Sequence, residues 1–410
     1  MLPITKKVIL PKPRTAPIKI AIMSNGPELP TGYAKVIREI GTRLNNDSRF
    51  EVTYFNENYG GQPAQWNGIP VIGVWHQDMG KIAENVVNAL QQVQPDILFV
   101  LEDSFTLKNF GFERLMKLPC KRVFYIPLDG GWVPSTGINV LRSMDLIVSM
   151  AKFTQDELQK DGFDSEMIWH GVDLDLFHPV SPVEQKILKE AFGFKSDDFL
   201  IFNYGRNSLR KNNQALIETA CKYLKDAPSN HKVWLHIMEK EDEHLNLVEY
   251  LTRHMSREYD SSVTDRIVFT KYTHKKPASD QEVAAMIKAS DLIFSLTTGE
   301  GFGLIMAEGM AAGKPIVHPD YTTPYELLID DSSGIGPRGW VVKPRILHTS
   351  SFNTTHAFTD SGDFAMAIRE AVSDPNQMKY RGINGRIFAE RFLNWDYLTE
   401  SWKELFIKLV

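Results

Sequence analysis

Cysteine is nearly absent: the 410 residues hold two, Cys120 and Cys221. They fall in segments that read as different domains, so neither a disulfide framework nor a cysteine zinc site has support, and a reducing, cytoplasmic setting is expected. Long apolar runs are missing as well. No stretch approaches the roughly 18 residues of a spanning helix, and residues 1–17 lack a signal-peptide core. With Lys6, Lys7, Lys12 and Arg14 that stretch reads as a solvated extension. Nor does one sign of charge dominate: 46 Lys and Arg stand against 51 Asp and Glu, a net charge of −5. That balance supplies no global drive towards nucleic acid or an anionic membrane. The 27 Gly and 22 Pro are dispersed rather than gathered in tracts, which excludes collagen and low-complexity disorder. What is there is ordinary for globular protein, and at roughly 100 to 200 residues per domain the length gives two or three domains.

Short apolar, β-branched runs alternate with longer amphipathic stretches, the pattern of βα units around a buried parallel sheet. Strands are expected over 18–23, 52–55, 71–74, 97–101, 122–126 and 146–149, with helices over 33–44, 81–92 and 152–160. The second half repeats the pattern with strands over 199–204, 233–238, 267–270, 292–296, 315–318 and 340–342. Pro179 and Pro182 interrupt the periodicity between them. The reading is therefore α/β, with two Rossmann-like doubly wound domains at 18–172 and 183–393, a linker at 173–182, and a terminal helix at 394–410. Trp395, Leu398, Trp402, Leu405, Phe406 and Leu409 give that helix an apolar stripe that needs a surface, expected on the first domain.

The segment 295–315, SLTTGEGFGLIMAEGMAAGKP, carries the chemistry. A strand ending near Leu296 runs into a Thr- and Gly-rich loop, and a helix follows from about Gly303 to Ala312. Gly301 and Gly303, flanking Phe302, let backbone approach a ligand closely, and the helix start from Leu304 onward offers free N–H groups and a positive dipole end to an anion. Glu300 precedes those amides; Glu308 lies about a turn and a half into the helix. Carboxylates accept from hydroxyls rather than bind phosphate, so a ligand with central phosphate and hydroxyl-bearing rings on both sides, a sugar nucleotide, fits. Alone, the two Glu read equally as a helix-start charge and a surface residue; the strand, turn and helix around them favour a ligand site.

On these residues the chain resembles GT-B glycosyltransferases of the retaining family 4 type, whose E-x7-E signature Glu300 and Glu308 reproduce. The resemblance covers most of the chain and implies two domains facing a cleft. The family's phosphate-binding Arg and Lys resemble Arg206 and Lys211 in NYGRNSLRKNNQ. Independently, an Arg at a strand end and a Lys at the next helix start converge where a doubly wound sheet binds ligand, the Arg able to clamp two phosphate oxygens. The family's first-domain glycine loop is similar to Pro30-Thr31-Gly32-Tyr33-Ala34, beside the diphosphate and transferring sugar. His170-Gly171-Val172-Asp173 with Phe177 and Pro179 matches the family's hinge pattern and would put His170 near the donor, although a lone His is also a common hydrogen-bonded linker residue. Tyr272 to His274 takes the position where relatives seat the base. The departure is Asp129: many relatives have a His where this chain reads Tyr125-Ile126-Pro127-Leu128-Asp129-Gly130-Gly131. Asp129 either accepts a hydrogen bond from a sugar or acceptor hydroxyl, or stabilises charge at the anomeric carbon, or merely initiates the Asp-Gly-Gly turn.

The resemblance implies transfer of a sugar from a nucleoside diphosphate sugar to a hydroxyl acceptor with retention. Arg206, Lys211 and the amides at Gly303 and Leu304 would stabilise the leaving diphosphate with no metal and no other cofactor, in keeping with the lack of a D-x-D cluster in a suitable loop. Glu300 would orient the sugar and Glu308 hold the ribose. The rivals are a sugar-nucleotide epimerase or hydrolase on the same scaffold, and a non-catalytic nucleotide-sugar or nucleic-acid binding protein. A glycan, a lipid, a small molecule and modified DNA all stay open as acceptor. The segment 56–66, with Tyr59 and Trp66, reads either as a mobile loop that stacks on a sugar or base or as one anchored by its aromatics. The TGYAK and GEGFG segments resemble virus-encoded members of the family, which would place the protein in a host cytoplasm, and Lys35, Arg38, Arg43 and residues 12–19 would give DNA a local basic face.

Overall fold

A computed structural model describes residues 16–104, 119–238, 245–273, 276–350 and 353–410. The extension at 1–17 lies almost wholly outside them, as does His274. The first domain is built on β1 (Ile18–Ser24), β2 (Phe50–Asn56), β3 (Ala64–Trp66), β4 (Ile69–Gly73), β5 (Ile97–Leu101), β6 (Lys121–Ile126), β7 (Leu146–Ser149) and β8 (Glu166–Met167). They lie in the order β3-β4-β2-β1-β5-β6-β7-β8, parallel apart from β3 against β4. β1 and β5 are buried along nearly their whole length, as strands covered on both faces must be. Helix α1 (Gly32–Asn45) starts where Thr31 Oγ1 accepts the Ala34 N–H at 3.2 Å, and it buries Val36, Ile37, Ile40 and Leu44. Helices α2 (Met79–Val93) and α3 (Lys152–Lys160) add to the covering.

Helix α4 (Pro182–Ala191) leads into the second domain, whose strands are β9 (Phe199–Arg206), β10 (His231–Met238), β11 (Ile267–Phe269), β12 (Leu292–Phe294), β13 (Ile316–Pro319) and β14 (Gly339–Val342). Their order β11-β10-β9-β12-β13-β14, all parallel, is that of a doubly wound nucleotide-binding sheet. The order reverses between β9 and β12, and in the first sheet between β1 and β5. Loops leave each reversal in opposite directions and open a crevice there, so the positions of both crevices follow from topology alone. Both expected sheets are found. Short edge strands β3 and β8 and an antiparallel hairpin, β15 (Ile346–Thr349) with β16 (Thr355–Phe358), were not expected.

The two domains are closely joined. Val172 bridges Asn394 where the chain crosses over and later returns, and the last helix, α8 (Trp395–Leu409), leaves the second domain to pack on the first. Trp402 is fully buried, edge-on to Phe99 at 5.0 Å and Tyr125 at 4.9 Å, and Phe406 meets Phe99 at 5.8 Å. Across the same interface the Glu326 carboxylate accepts the first-turn N–H groups of Lys152 and Phe153, both at 3.1 Å, capping α3 from the other domain.

Candidate functional site

The loop 295–303 leaves β12 at the second sheet's crevice and is fixed from several sides. Thr298 N donates to Arg210 O at 2.8 Å, Glu300 N to Thr322 Oγ1 at 3.0 Å, and Thr323 Oγ1 to Glu300 O at 2.9 Å. Gly303 adopts φ +98°, a left-handed conformation that glycine takes without strain, and helix α7 (Leu304–Ala311) begins with no side chain capping it. The N–H groups of its first turn are therefore directed at the cleft mouth together with the positive end of the helix dipole. Between β9 and α5 (Asn213–Leu224) a short turn at Leu209–Lys211 places two cations against this loop. The Lys211 ammonium bonds Glu300 Oε1, and Arg210 Nη1 bonds Glu300 Oε2 at 3.2 Å. Burial disfavours a charge on Glu300, but Lys211 and Arg210 outweigh it and hold the carboxyl down at about 2. Burial also pulls Lys211 below the usual lysine range, partly offset by Glu300.

Opposite lies the first domain's crevice. Gly32 has no side chain, and a Cβ there would sit 3.2 Å from Leu304 Cδ1, so the glycine loop touches the start of α7. Asp129 Oδ2 is 2.9 Å from Arg210 Nε, a direct ion pair between the domains. The Gly131 N–H points to Thr355 O at 3.0 Å and Tyr321 Oη at 2.9 Å, and Thr355 N returns a bond to Gly131 O at 2.9 Å, so the unexpected hairpin pins the Asp129 loop. Tyr33 Oη donates to Asp103 Oδ1 at 2.8 Å. Deeper in the cleft, Glu308 accepts from Tyr204 Oη and from Lys35 Nζ at 3.1 Å, and Lys35 also reaches Asp280 Oδ1 at 3.0 Å, at the start of α6 (Asp280–Ala289). A cavity of about 50 Å³ remains between these groups, lined by Lys35, Arg38, Asp280, Leu304 and Glu308.

Glu300, Lys211, Asp129, Gly32, Gly301, Gly303 and Leu304 thus meet at one cleft, with Glu308 further in. Arg206 ends β9 with an exposed side chain at the same crevice. Phe302 is buried, its ring 4.8 Å from His170, and His170 in turn is hydrogen-bonded to Tyr125 Oη at 2.8 Å and driven down to about 3 by burial. His170 is therefore a buried, packed hinge residue directly behind the loop. Tyr272 lies past β11, its hydroxyl on Glu282 at 2.8 Å and its ring edge-on to His236. Of the basic face considered for DNA, Lys35 and Arg38 are ion-paired with Asp280 and Glu308 and Arg43 with Glu39 and Asp396, while residues 12–15 lie outside the described residues. Trp66 lies under the Arg38 guanidinium, 5.7 Å from its centroid, which favours the anchored reading of the 56–66 segment. Arg210 and Lys35 were missed; Arg210 is next to a residue already singled out, but nothing in its spacing distinguishes it from a solvated charge.

Two outcomes follow from the packing and the charges. A Cβ on Gly299 would lie 1.7 Å from Asp129 O, a backbone atom that cannot give way, so Gly299→Ala forces the domains apart. It is expected to cost about 1–3 kcal/mol in urea unfolding and to enlarge the radius of gyration in solution scattering; an unchanged radius counts against this contact. Burial, with Glu102 and Asp129 nearby, raises the Asp103 carboxyl to about 7. An acid whose folded value is raised contributes stability that is fully present below its unfolded value near 3.8 and is lost as pH climbs through 7. Asp103→Asn should therefore match the parent chain only below about pH 4, gain on it as pH rises towards 7, and exceed it at pH 8 by roughly 2–4 kcal/mol, at about 1.4 kcal/mol per unit.

Residues 184–351 match the family model described as Glycosyl transferases group 1. EpsD of Bacillus subtilis is 27% identical over 222 residues, which are 54% of this chain and 49% of EpsD, so the chain spans about half the length of the curated relatives it matches. Among solved structures, a sucrose-phosphate synthase from Thermosynechococcus elongatus superposes with a TM-score of 0.77 at 16% identity, over 96% of this chain and 99% of that one. The Anabaena protein HepE in complex with UDP-glucose superposes with a TM-score of 0.73 at 16% identity, over 95% and 100%. The fold is therefore GT-B, and the second domain carries a group 1 glycosyl transferase region. No helix among the described residues is long and apolar enough to cross a membrane, and no group of three or more His, Cys, Asp and Glu side chains there is arranged to hold a metal ion.

Proposed function

We propose that this chain, a GT-B fold whose second domain is a group 1 glycosyl transferase region, moves a sugar from a nucleoside diphosphate sugar to a hydroxyl acceptor with retention at the anomeric carbon. The observation that carries the reading is the convergence of Lys211 and Arg210 on Glu300 just ahead of an uncapped helix start, at the reversal point of the second sheet. That arrangement suits a ligand with an anionic centre and hydroxyls beside it. In the reaction the bond from the anomeric carbon to the diphosphate oxygen breaks, the acceptor oxygen bonds that carbon on the same face, and the acceptor proton leaves with the diphosphate. Arg206, Lys211 and the amides of α7 offset the charge growing on the leaving group, the task for which a metal would otherwise serve. Glu300 orients the sugar and Glu308 the ribose; Gly32 leaves room for the diphosphate, and Tyr272 flanks the base.

Lys35 occupies the Glu308 carboxylate, so a ribose held by Glu308 requires the Lys35–Glu308 contact to part. We assign the protein to the cytoplasm on its two unpaired, buried cysteines. The test is a thermal-stabilisation screen with nucleotide sugars of different base, because a ligand that binds the folded state raises its apparent stability. The stabilising donor is then incubated without acceptor. Slow release of nucleoside diphosphate and a sugar of retained configuration is expected, whereas an epimer of the intact nucleotide sugar contradicts transfer.

A further inference from the structure

Arg210 is tied to more of the cleft than any residue the sequence singled out. Its Nε meets Asp129 of the first domain at 2.9 Å, and its Nη1 meets Glu300 Oε2 at 3.2 Å and Gly299 O at 2.6 Å. Its carbonyl accepts from the Thr298 N–H at 2.8 Å and from the hydroxyls of Thr297 and Thr298, both at 3.2 Å, so the backbone is held as firmly as the head group. The side chain is 32% exposed and that of Asp129 38%, while that of Glu300 is 7% exposed, so the pair borders the open cleft instead of lying in the core. One guanidinium bonded to two carboxylates fixes both in place; without it their like charges repel and the shared donor that aligns them is lost.

We propose that Arg210 is the positioning residue of the sugar subsite, holding Asp129 and Glu300 in register across the cleft so that both accept hydrogens from hydroxyls of the transferring sugar. This rests on the reading of a nucleotide-sugar donor. It separates the work of two arginines: Arg206, exposed at the end of β9, faces the diphosphate, whereas Arg210 acts through two carboxylates and is not needed for the nucleotide.

Calorimetric titration of the full chain with UDP, GDP and ADP, and with UDP-glucose, GDP-mannose and ADP-glucose, tests it. The readout is the ratio of the Kd for a nucleotide sugar to that for its bare diphosphate. In Arg210→Met the bare diphosphate should bind within about 3-fold of the parent chain while the ratio rises about 10-fold, the scale of one charge-assisted hydrogen bond. Arg210→Lys, which keeps the charge but reaches one carboxylate, should fall between. Adding Asp129→Asn to Arg210→Met removes the unopposed charge and should bring the ratio back to within about 3-fold, a rescue that a merely structural role does not give. An unchanged ratio, or a double variant whose losses add, overturns the proposal. Equal weakening of bare diphosphate and nucleotide sugar also overturns it and makes Arg210 a diphosphate ligand. If the parent chain binds none of the six compounds, the donor reading itself falls, an outcome distinct from the others.

Discussion

Glu300→Gln is expected to lower turnover on the donor by about 10³-fold, at the upper end of what losing one preorganised electrostatic group costs. The substitution keeps shape and burial and removes only the charge. Because the carboxyl is held at about 2, Glu300 is ionised throughout the pH range in which the protein is assayed, so Gln changes its state at every usable pH. Two consequences combine. The sugar loses its charged acceptor, and Lys211 and Arg210 lose the anion that fixes their heads beside the first turn of α7. Steady-state release of nucleoside diphosphate measures the effect, with binding of the bare diphosphate as the internal control, expected to change by less than about 10-fold. Loss of turnover below about 10-fold contradicts a direct role for Glu300 at the sugar.

The largest effect on stability is expected from Trp402→Ala, about 3–5 kcal/mol, the usual cost of truncating a buried aromatic. Trp402 is fully buried and sits edge-on to Phe99 and Tyr125, so it fastens the terminal helix to the first sheet. Tyr125 also bonds His170, which packs on Phe302 in the loop 295–303, so the cavity opens beneath that loop as well as under α8. Urea unfolding reads the loss as a lowered midpoint. Trp402→Phe should cost much less, since it keeps a ring and removes an indole N–H that has no hydrogen-bond partner. Equal losses for Ala and Phe would mean that something other than packing carries the stability.

Much of this architecture was legible before any coordinates, for a physical reason. Strands covered on both faces must be apolar throughout, so segments such as Ile97–Leu101 stand out from their surroundings. The helix start after Gly303 was legible because a glycine turn between a strand and good helix formers has few other uses. The hairpin Ile346–Thr349 and Thr355–Phe358 was not, since β15 is exposed at every residue and carries no burial pattern. What the site residues do to one another was also hidden. The Arg210–Asp129 and Lys35–Glu308 pairs join residues from different domains, and neither local propensity nor periodicity reports such a contact. His170 was legible only as one of two alternatives, a group near the donor or a hydrogen-bonded linker residue; its bond to Tyr125 and its packing on Phe302 join residues far apart in sequence, which no local pattern reports.

The proposed transfer requires the cleft between Glu300, Lys211 and Arg206 to hold the diphosphate of a nucleotide sugar. Calorimetric titration of UDP, GDP and ADP into the parent chain, Arg206→Ala and Lys211→Ala measures it directly. One of the three is expected to bind the parent chain, and each substitution should weaken that binding by about 10-fold or more, as loss of a charge-assisted contact requires. Binding of equal strength to the parent chain and both variants would contradict the account.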